Sequence, residues 1–174
     1  MSKKAVFLDR DGIINYDKHY VYKISDFEFN KDIFELLNYL QEKDFELFIV
    51  TNQSGINRGY YTLEDFYKLT TYMLNKFKEK NIKIKDVAYC PHQPSDECEC
   101  RKPKNKMVID LKNKHDIDLS NSWFIGDKDS DIQCAINSGV ANMIKVEKSI
   151  INPAKIKNNY FECKEINQIF SIIK

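Results

Sequence analysis

The sequence predicts an α/β protein whose sheet is doubly wound and mostly parallel. Two observations carry that class. Short apolar, strand-like runs alternate with helix-periodic segments along the chain. The polar clusters at 9–11, 51–54 and 127–131 each come directly after one of those runs, where α/β sheets bind ligands.

The elements follow in order. Residues 4–8 read as a short buried strand ending at Asp9-Arg10-Asp11-Gly12, and residues 13–30 as a polar, aromatic-rich flap. Ile33, Leu36, Leu37 and Leu40 fall on one helical face. Residues 45–50 form a second central strand that stops at Thr51-Asn52-Gln53-Ser54-Gly55. Thr62 with Asp65 three residues on starts a helix carrying Leu63, Phe66, Leu69, Met73, Leu74 and Phe77. Residues 87–89 make a third strand, and Pro103 is expected to open a helix bearing Met107, Val108 and Leu111. Residues 123–125 form a fourth strand before Gly126-Asp127-Lys128-Asp129, then a helix over 129–138 stops at Gly139. Residues 142–146 are a fifth strand. A small strand near Phe161 precedes a last helix with Ile166, Ile169, Phe170 and Ile173.

At 174 residues the chain suits one domain over 1–174 with a full core. Its 27 Lys and Arg against 26 Asp and Glu give a net charge of +1, without the basic excess of a nucleic-acid binder. No apolar run approaches the ~18 residues of a membrane span, and residues 5–8 are too short for a secretory core. The expectation is a cytoplasmic monomer with reduced thiols. Of its five cysteines, Cys134 and Cys163 read as packing, while Cys90, Cys98 and Cys100 cluster. His19 and His115 read as ordinary surface or flap residues, and Lys104 and Lys106 as a solvated face.

Asp9 and Asp11 leave a strand end on the same side. Two such carboxylates suit a divalent cation, or a nucleophile beside an acid. Alone, the pair also fits an exposed acidic turn, so the rest of the chain decides. Cys90-Pro91-His92 and Cys98-x-Cys100 supply three thiols and one imidazole within eleven residues, a complete tetrahedral set for structural zinc.

Asp9-x-Asp11-Gly12, Thr51-Asn52, Lys102 and Gly126-Asp127-x-x-x-Asp131 together resemble the four-motif pattern of the haloacid dehalogenase superfamily. The pattern spans residues 5–131. The resemblance implies a magnesium-dependent phosphatase with Asp9 as nucleophile, forming an aspartyl-phosphate, and Asp11 as general acid and then base. Magnesium is expected between the Asp9 carboxylate, the Asp11 carbonyl and Asp127. Thr51 and the Asn52 backbone would hold the phosphoryl oxygens, and Lys102 would balance their charge. Asp131 is expected either to bond a metal water or lysine, or to be a mere exposed first-turn carboxylate.

The same motifs with a Cys/His loop are similar to two narrower groups, histidinol-phosphate phosphatases and D-glycero-D-manno-heptose 1,7-bisphosphate phosphatases. Both imply zinc on the loop and no cap domain, and residues 13–50 and 55–100 leave no room for one. Asp17-Lys18-His19-Tyr20-Val21 and Thr51-Asn52-Gln53-Ser54-Gly55-Ile56-x-Arg58-Gly59 resemble the heptose type. The flap departs from it, with Lys18-His19 where that type has His-Gly, and the short 90–100 loop resembles the histidinol type instead. The flap and Gln53-Ser54 face the site, so the expected reaction is hydrolysis at C7 of heptose 1,7-bisphosphate, for activated heptose in surface glycans. The alternatives are histidinol phosphate hydrolysis, a nucleic-acid end phosphatase with the same core, which the near-neutral charge counts against, or a non-catalytic phosphosugar-binding protein. Expected substrate contacts are Asp17, Lys18, His19, Tyr20, Thr51, Asn52, Gln53, Ser54, Arg101, Lys102 and Lys128. Arg101, and less directly Arg58, are candidates for a second phosphate.

Overall fold

The computed structural model describes residues 2–157 and 159–174. Its sheet has seven strands in the order β3-β2-β1-β4-β5-β7-β6. The strands are β1 Ala5–Leu8, β2 Glu46–Asn52, β3 Ile84–Cys90, β4 Trp123–Gly126, β5 Asn142–Val146, β6 Ala154–Lys157 and β7 Tyr160–Cys163. All neighbours pair in parallel except β6 and β7. From β1 the chain winds outward through β2 and β3, then restarts on the other side of β1 with β4 and β5. The switch lies between β1 and β4, and a crevice opens beyond their carboxyl ends.

Four helices cover the faces: α1 Ile33–Glu42, α2 Leu63–Glu79, α3 Lys106–His115 and α4 Asp129–Ser138. Alternation along β1 shows why both faces need cover. Val6 and Leu8 enter a core with Leu36 and Leu37 of α1 and Leu69 and Met73 of α2. Ala5 and Phe7 enter a second core with Val108 and Leu111 of α3 and Cys134 and Ala135 of α4. A strand buried on both sides carries apolar residues continuously, which made β1 easy to find. The α2 start has the expected reciprocal cap, with the Thr62 hydroxyl accepting from Asp65 N and the Asp65 carboxylate accepting from Thr62 N. Cys134 and Cys163 are buried, one in each core.

Some expectations are corrected. Pro103 does not open α3; Lys104 N closes a turn onto Arg101 O, and the helix begins at Lys106. The last helix is a 3-10 segment, Ile166–Ser171, because apolar residues three apart fit that tighter turn equally well. β6 went unseen in the sequence: as an edge strand it has one pairing partner and carries two lysines. His115 is not an ordinary surface residue. Its ring packs 5.1 Å from that of Phe48, and its Nε2 meets Asp86 Oδ2 at 2.9 Å. Between β1 and α1, and between β2 and α2, the described residues form turns and one 3-10 segment, Ile24–Asp26, so no cap is present.

Candidate active site

The switch point gathers the motif residues. Asp9 continues from β1, its amide donating to Ile125 O of β4 at 3.0 Å. Lys102 reaches it from the segment after β3: its Nζ donates to Asp9 Oδ1 at 2.9 Å and to Val50 O at 2.8 Å, and lies 2.6 Å from Asp131 Oδ1. Asn52, at the end of β2, fixes that segment by a reciprocal pair, accepting from Lys102 N at 3.0 Å and donating to Lys102 O at 3.2 Å. Two of the ammonium's donors go to Asp9 and Val50, and its contact with Asp131 is an ion pair.

Asp131 is 1% exposed. Of its two expected placements, the exposed one is therefore corrected and the lysine contact is observed. Its Oδ2 also accepts from the backbone N of Asp127 at 3.2 Å and of Lys128 at 3.1 Å, which shapes the turn into α4. Asp9, Asp127 and Asp131 each offer an oxygen within 4.8 Å of the others. Asp127 Oδ1 is buried without a hydrogen-bond partner. The loop after β1 closes on it so tightly that a Cβ on Gly12, whose φ is +98°, would lie 2.2 Å from Asp127 Oδ2.

Charge at this point is unbalanced. Burial pushes the Asp9 carboxyl upward, against the pull of Lys102 and with Asp131 and Asp127 adding to the rise. Asp127 is pushed up to about 6, again chiefly by burial. Crowded, desolvated carboxylates, with Asp127 Oδ1 orphaned and Asp131 Oδ1 held only by the charge of Lys102, form a donor set that suits a hard divalent cation.

Asp11 faces the other way. Arg10, 2% exposed, grips both its oxygens, with Nε 3.2 Å from Oδ2 and Nη2 3.0 Å from Oδ1. Asn15 Nδ2 donates to Oδ1 at 3.0 Å and Gln53 Nε2 to Oδ2 at 2.9 Å. The Arg10 Nη2 also donates to Val21 O at 2.7 Å, tying the flap to the same point.

A cavity of about 320 Å³ opens above these groups. Asp11, Asp17, His19, Tyr20, Asn52, Gln53, Ser54, Arg101, Lys102 and Lys128 all line it. Lys128 Nζ meets Asp17 Oδ2 across it at 3.2 Å, and Arg101 Nη1 is anchored to His92 O at 3.2 Å. Thr51 lies beneath, its Oγ1 accepting from Gln53 Nε2 at 2.8 Å. Lys18 points away, paired with Glu28 at 2.9 Å, and the exposed Arg58 is not among the lining residues. The sequence reading missed Arg10, Ser130 and Tyr61, of which the last two also line the cavity. Arg10 sits inside the first motif, but nothing in its spacing tells a buried arginine from an exposed one.

Beside the cavity, the thiols of Cys90, Cys98 and Cys100 and the His92 ring converge. Cys100 Sγ is 2.8 Å from Cys90 Sγ and 3.6 Å from Cys98 Sγ, and His92 Nδ1 is 3.2 Å from Cys100 Sγ. Four ligand atoms this close could hold one metal ion.

Comparison with known proteins agrees with this geometry. The model of a family described as polynucleotide kinase 3 phosphatase matches residues 5–160. A D-glycero-alpha-D-manno-heptose-1,7-bisphosphate 7-phosphatase of Campylobacter jejuni is 47% identical, over 100% of this chain and 98% of its own. A beta-heptose counterpart from Helicobacter pylori is 44% identical over 99% of each. The chain belongs to the heptose-1,7-bisphosphate 7-phosphatase family. The phosphatase class expected from the four motifs thus holds. The fold also matches a solved D,D-heptose 1,7-bisphosphate phosphatase of B. bronchiseptica, complexed with magnesium and phosphate, with a TM-score of 0.84 at 24% identity over 97% of this chain and 96% of that one. Among the described residues no helix is long and apolar enough to cross a membrane.

Proposed function

We propose that the protein hydrolyses the C7 phosphate of D-glycero-D-manno-heptose 1,7-bisphosphate, releasing the 1-phosphate for activated-heptose synthesis in the cytoplasm. The observation that carries this reading is the near-half identity, over whole chains, with relatives of that name.

Asp9 attacks phosphorus, the P–O7 bond breaks, and Asp11 delivers a proton to the departing alkoxide. Water, deprotonated by Asp11, then attacks the aspartyl-phosphate; the bond to Asp9 breaks and inorganic phosphate leaves. Lys102 takes one oxygen of Asp9, which leaves the other for attack. Asp9, Asp127 and the Asp11 carbonyl would hold magnesium, which supplies the positive charge that lets an anion approach an anion. Thr51 and the Asn52 amide hold the phosphoryl group in line. Arg101 and Lys128, on the cavity wall, are the cations for the distal phosphate. Cys90, His92, Cys98 and Cys100 would hold zinc, which would fix the loop that ends in Arg101.

Steady-state kinetics with magnesium on both anomers of the bisphosphate and on histidinol phosphate test the reading. A kcat/KM higher for a heptose bisphosphate by at least about 100-fold is expected. Equal or better turnover of histidinol phosphate would overturn it.

A further inference from the structure

We propose that Tyr61 is a positioning residue for this reaction: through the Gln53 carboxamide it aims both Asp11 and the Thr51 hydroxyl. The inference deepens the phosphatase reading and rests on it.

Tyr61 is buried, and its ring is gripped from two sides. Tyr22 of the flap stacks on it with centroids 5.2 Å apart and planes at 9°. On the other side a Cβ on Gly55 would lie 2.1 Å from its Cε1, so only glycine leaves room for the ring. Its hydroxyl therefore has a fixed place, and burial pushes the phenol up to about 12, so it keeps its proton.

From there the Tyr61 hydroxyl donates to Gln53 Oε1 at 2.5 Å. A carboxamide has one accepting and one donating end. With Oε1 taken, Nε2 faces the opposite way, and its two protons go to Asp11 Oδ2 at 2.9 Å and Thr51 Oγ1 at 2.8 Å. Because Thr51 Oγ1 accepts there, its own proton is directed elsewhere, toward a phosphoryl oxygen. Gln53 is also the contact that reaches Asp11 from the β2 end; Arg10 and Asn15 hold it from the β1 side. One amide thus sets the general acid and a phosphate donor together, and Tyr61 sets the amide. Without the hydroxyl, Oε1 would be buried and unpaired. Gln53 could relieve that only by turning and releasing Asp11 and Thr51.

The test is Tyr61→Phe, which keeps the stacked ring, assayed on two leaving groups. A sugar alkoxide needs a proton to depart, whereas 4-nitrophenolate or acetate does not, and kcat/KM reports the phosphoryl transfer to Asp9. The expected result is a fall in kcat/KM of about tenfold or more on the heptose bisphosphate, against no more than about threefold on 4-nitrophenyl or acetyl phosphate. Gln53→Met, which keeps the length and loses the amide, is expected to reproduce the split. An equal fall on both leaving groups would mean that Tyr61 does not aim Asp11, and no fall on either would remove it from the reaction; each overturns the inference that it aims the two together. A wild-type protein no more active than Asp9→Asn would instead sink the phosphatase reading itself.

Discussion

The carboxylates that Lys102 pairs with stand close to the ends of two deeply buried strands, Asp9 just after β1 and Asp131 in the first turn of α4 after β4, and the lysine is their counter-charge. The thiols and imidazole of residues 90–100 have a different setting. They occupy a loop between β3 and α3 whose regular structure is one 3-10 turn, Pro94–Asp96, with half-exposed Cys98 and Cys100 leaning on the edge of the second core. Both clusters collect four ligating or charged side chains, yet the fold shapes the first without help, while the second lacks the apolar material to shape itself. On the proposed reading, the first cluster would hold a metal for chemistry and the second a metal for folding. The two meet at Lys102, two residues after Cys100, so the outer cluster holds one end of the inner one.

The largest effect should come from Asp9→Asn. Turnover is expected to fall by on the order of 10⁴-fold or more, while the melting temperature stays level or rises, because one of three crowded buried carboxylates is gone. Lys102→Met should act in the opposite sense on stability. It strands Asp9 and Asp131 in a buried site, at a cost of about 3–5 kcal/mol in addition to lost activity. Thermal unfolding of the two variants side by side checks the contrast. A destabilised Asp9→Asn beside an unaffected Lys102→Met would reverse the account of the inner cluster.

Removing the outer metal should lower the melting temperature by on the order of 10 °C and take activity with it, and Cys98→Ser should do the same. Added magnesium should not restore either, since Arg101 and Lys102 hang from the loop. Metal analysis and melting curves of the two forms are the measurement. A chelated protein that keeps its melting temperature would mean the loop stands without an ion.

The inner cluster should respond to pH instead. Burial, opposed by Lys128 and reinforced by Asp131 and Asp17, lifts Asp127 to about 6, and Asp9 is lifted too. Unfolded aspartates titrate near ~4. Between those values the folded state binds more protons than the unfolded one, so stability from these groups falls as pH rises. Protein freed of magnesium but keeping the outer ion should therefore lose a few degrees of melting temperature between about pH 5 and pH 7.5, relative to Asp127→Asn. Magnesium should restore the loss, with a larger shift at the higher pH. An equal magnesium shift at both would argue against a site of charged carboxylates.

What the sequence disclosed follows from the same physics. β1, β2 and β4 were legible because strands buried on both faces are apolar throughout, and Asp9, Thr51 and Asp127 were legible because each stands at the end of such a run. β6 was not, since its place depends on backbone pairing with β7 and its residues, Ala-Lys-Ile-Lys, alternate weakly. Tyr61 was hidden for another reason: eight residues beyond Gln53, it joins the site only through a tertiary contact. Gly55, six residues before it, was a trace of it, legible only with the ring packed against that glycine. Asp131 misleads in the same way, because a first-turn carboxylate is normally solvated, and its burial is made tolerable by Lys102, 29 positions earlier, together with the Asp127 and Lys128 amides.

The smallest effect sharpens the comparison most. Asp96 Oδ2 accepts from Asn57 Nδ2 at 3.0 Å, joining the outer loop to the turn after β2, and from Gln93 N at 2.9 Å within the loop. If these bonds shape the loop, Asp96→Ala should cost nearly as much as removing the metal. If four ligands on one ion shape it, the loss is confined to exposed hydrogen bonds worth about 1 kcal/mol, a shift of about 2–4 °C, with kcat/KM and bound metal unchanged. The second outcome is expected, since Asp96 is exposed and water replaces its partners readily, whereas nothing replaces a missing ligand in a closed tetrahedral set.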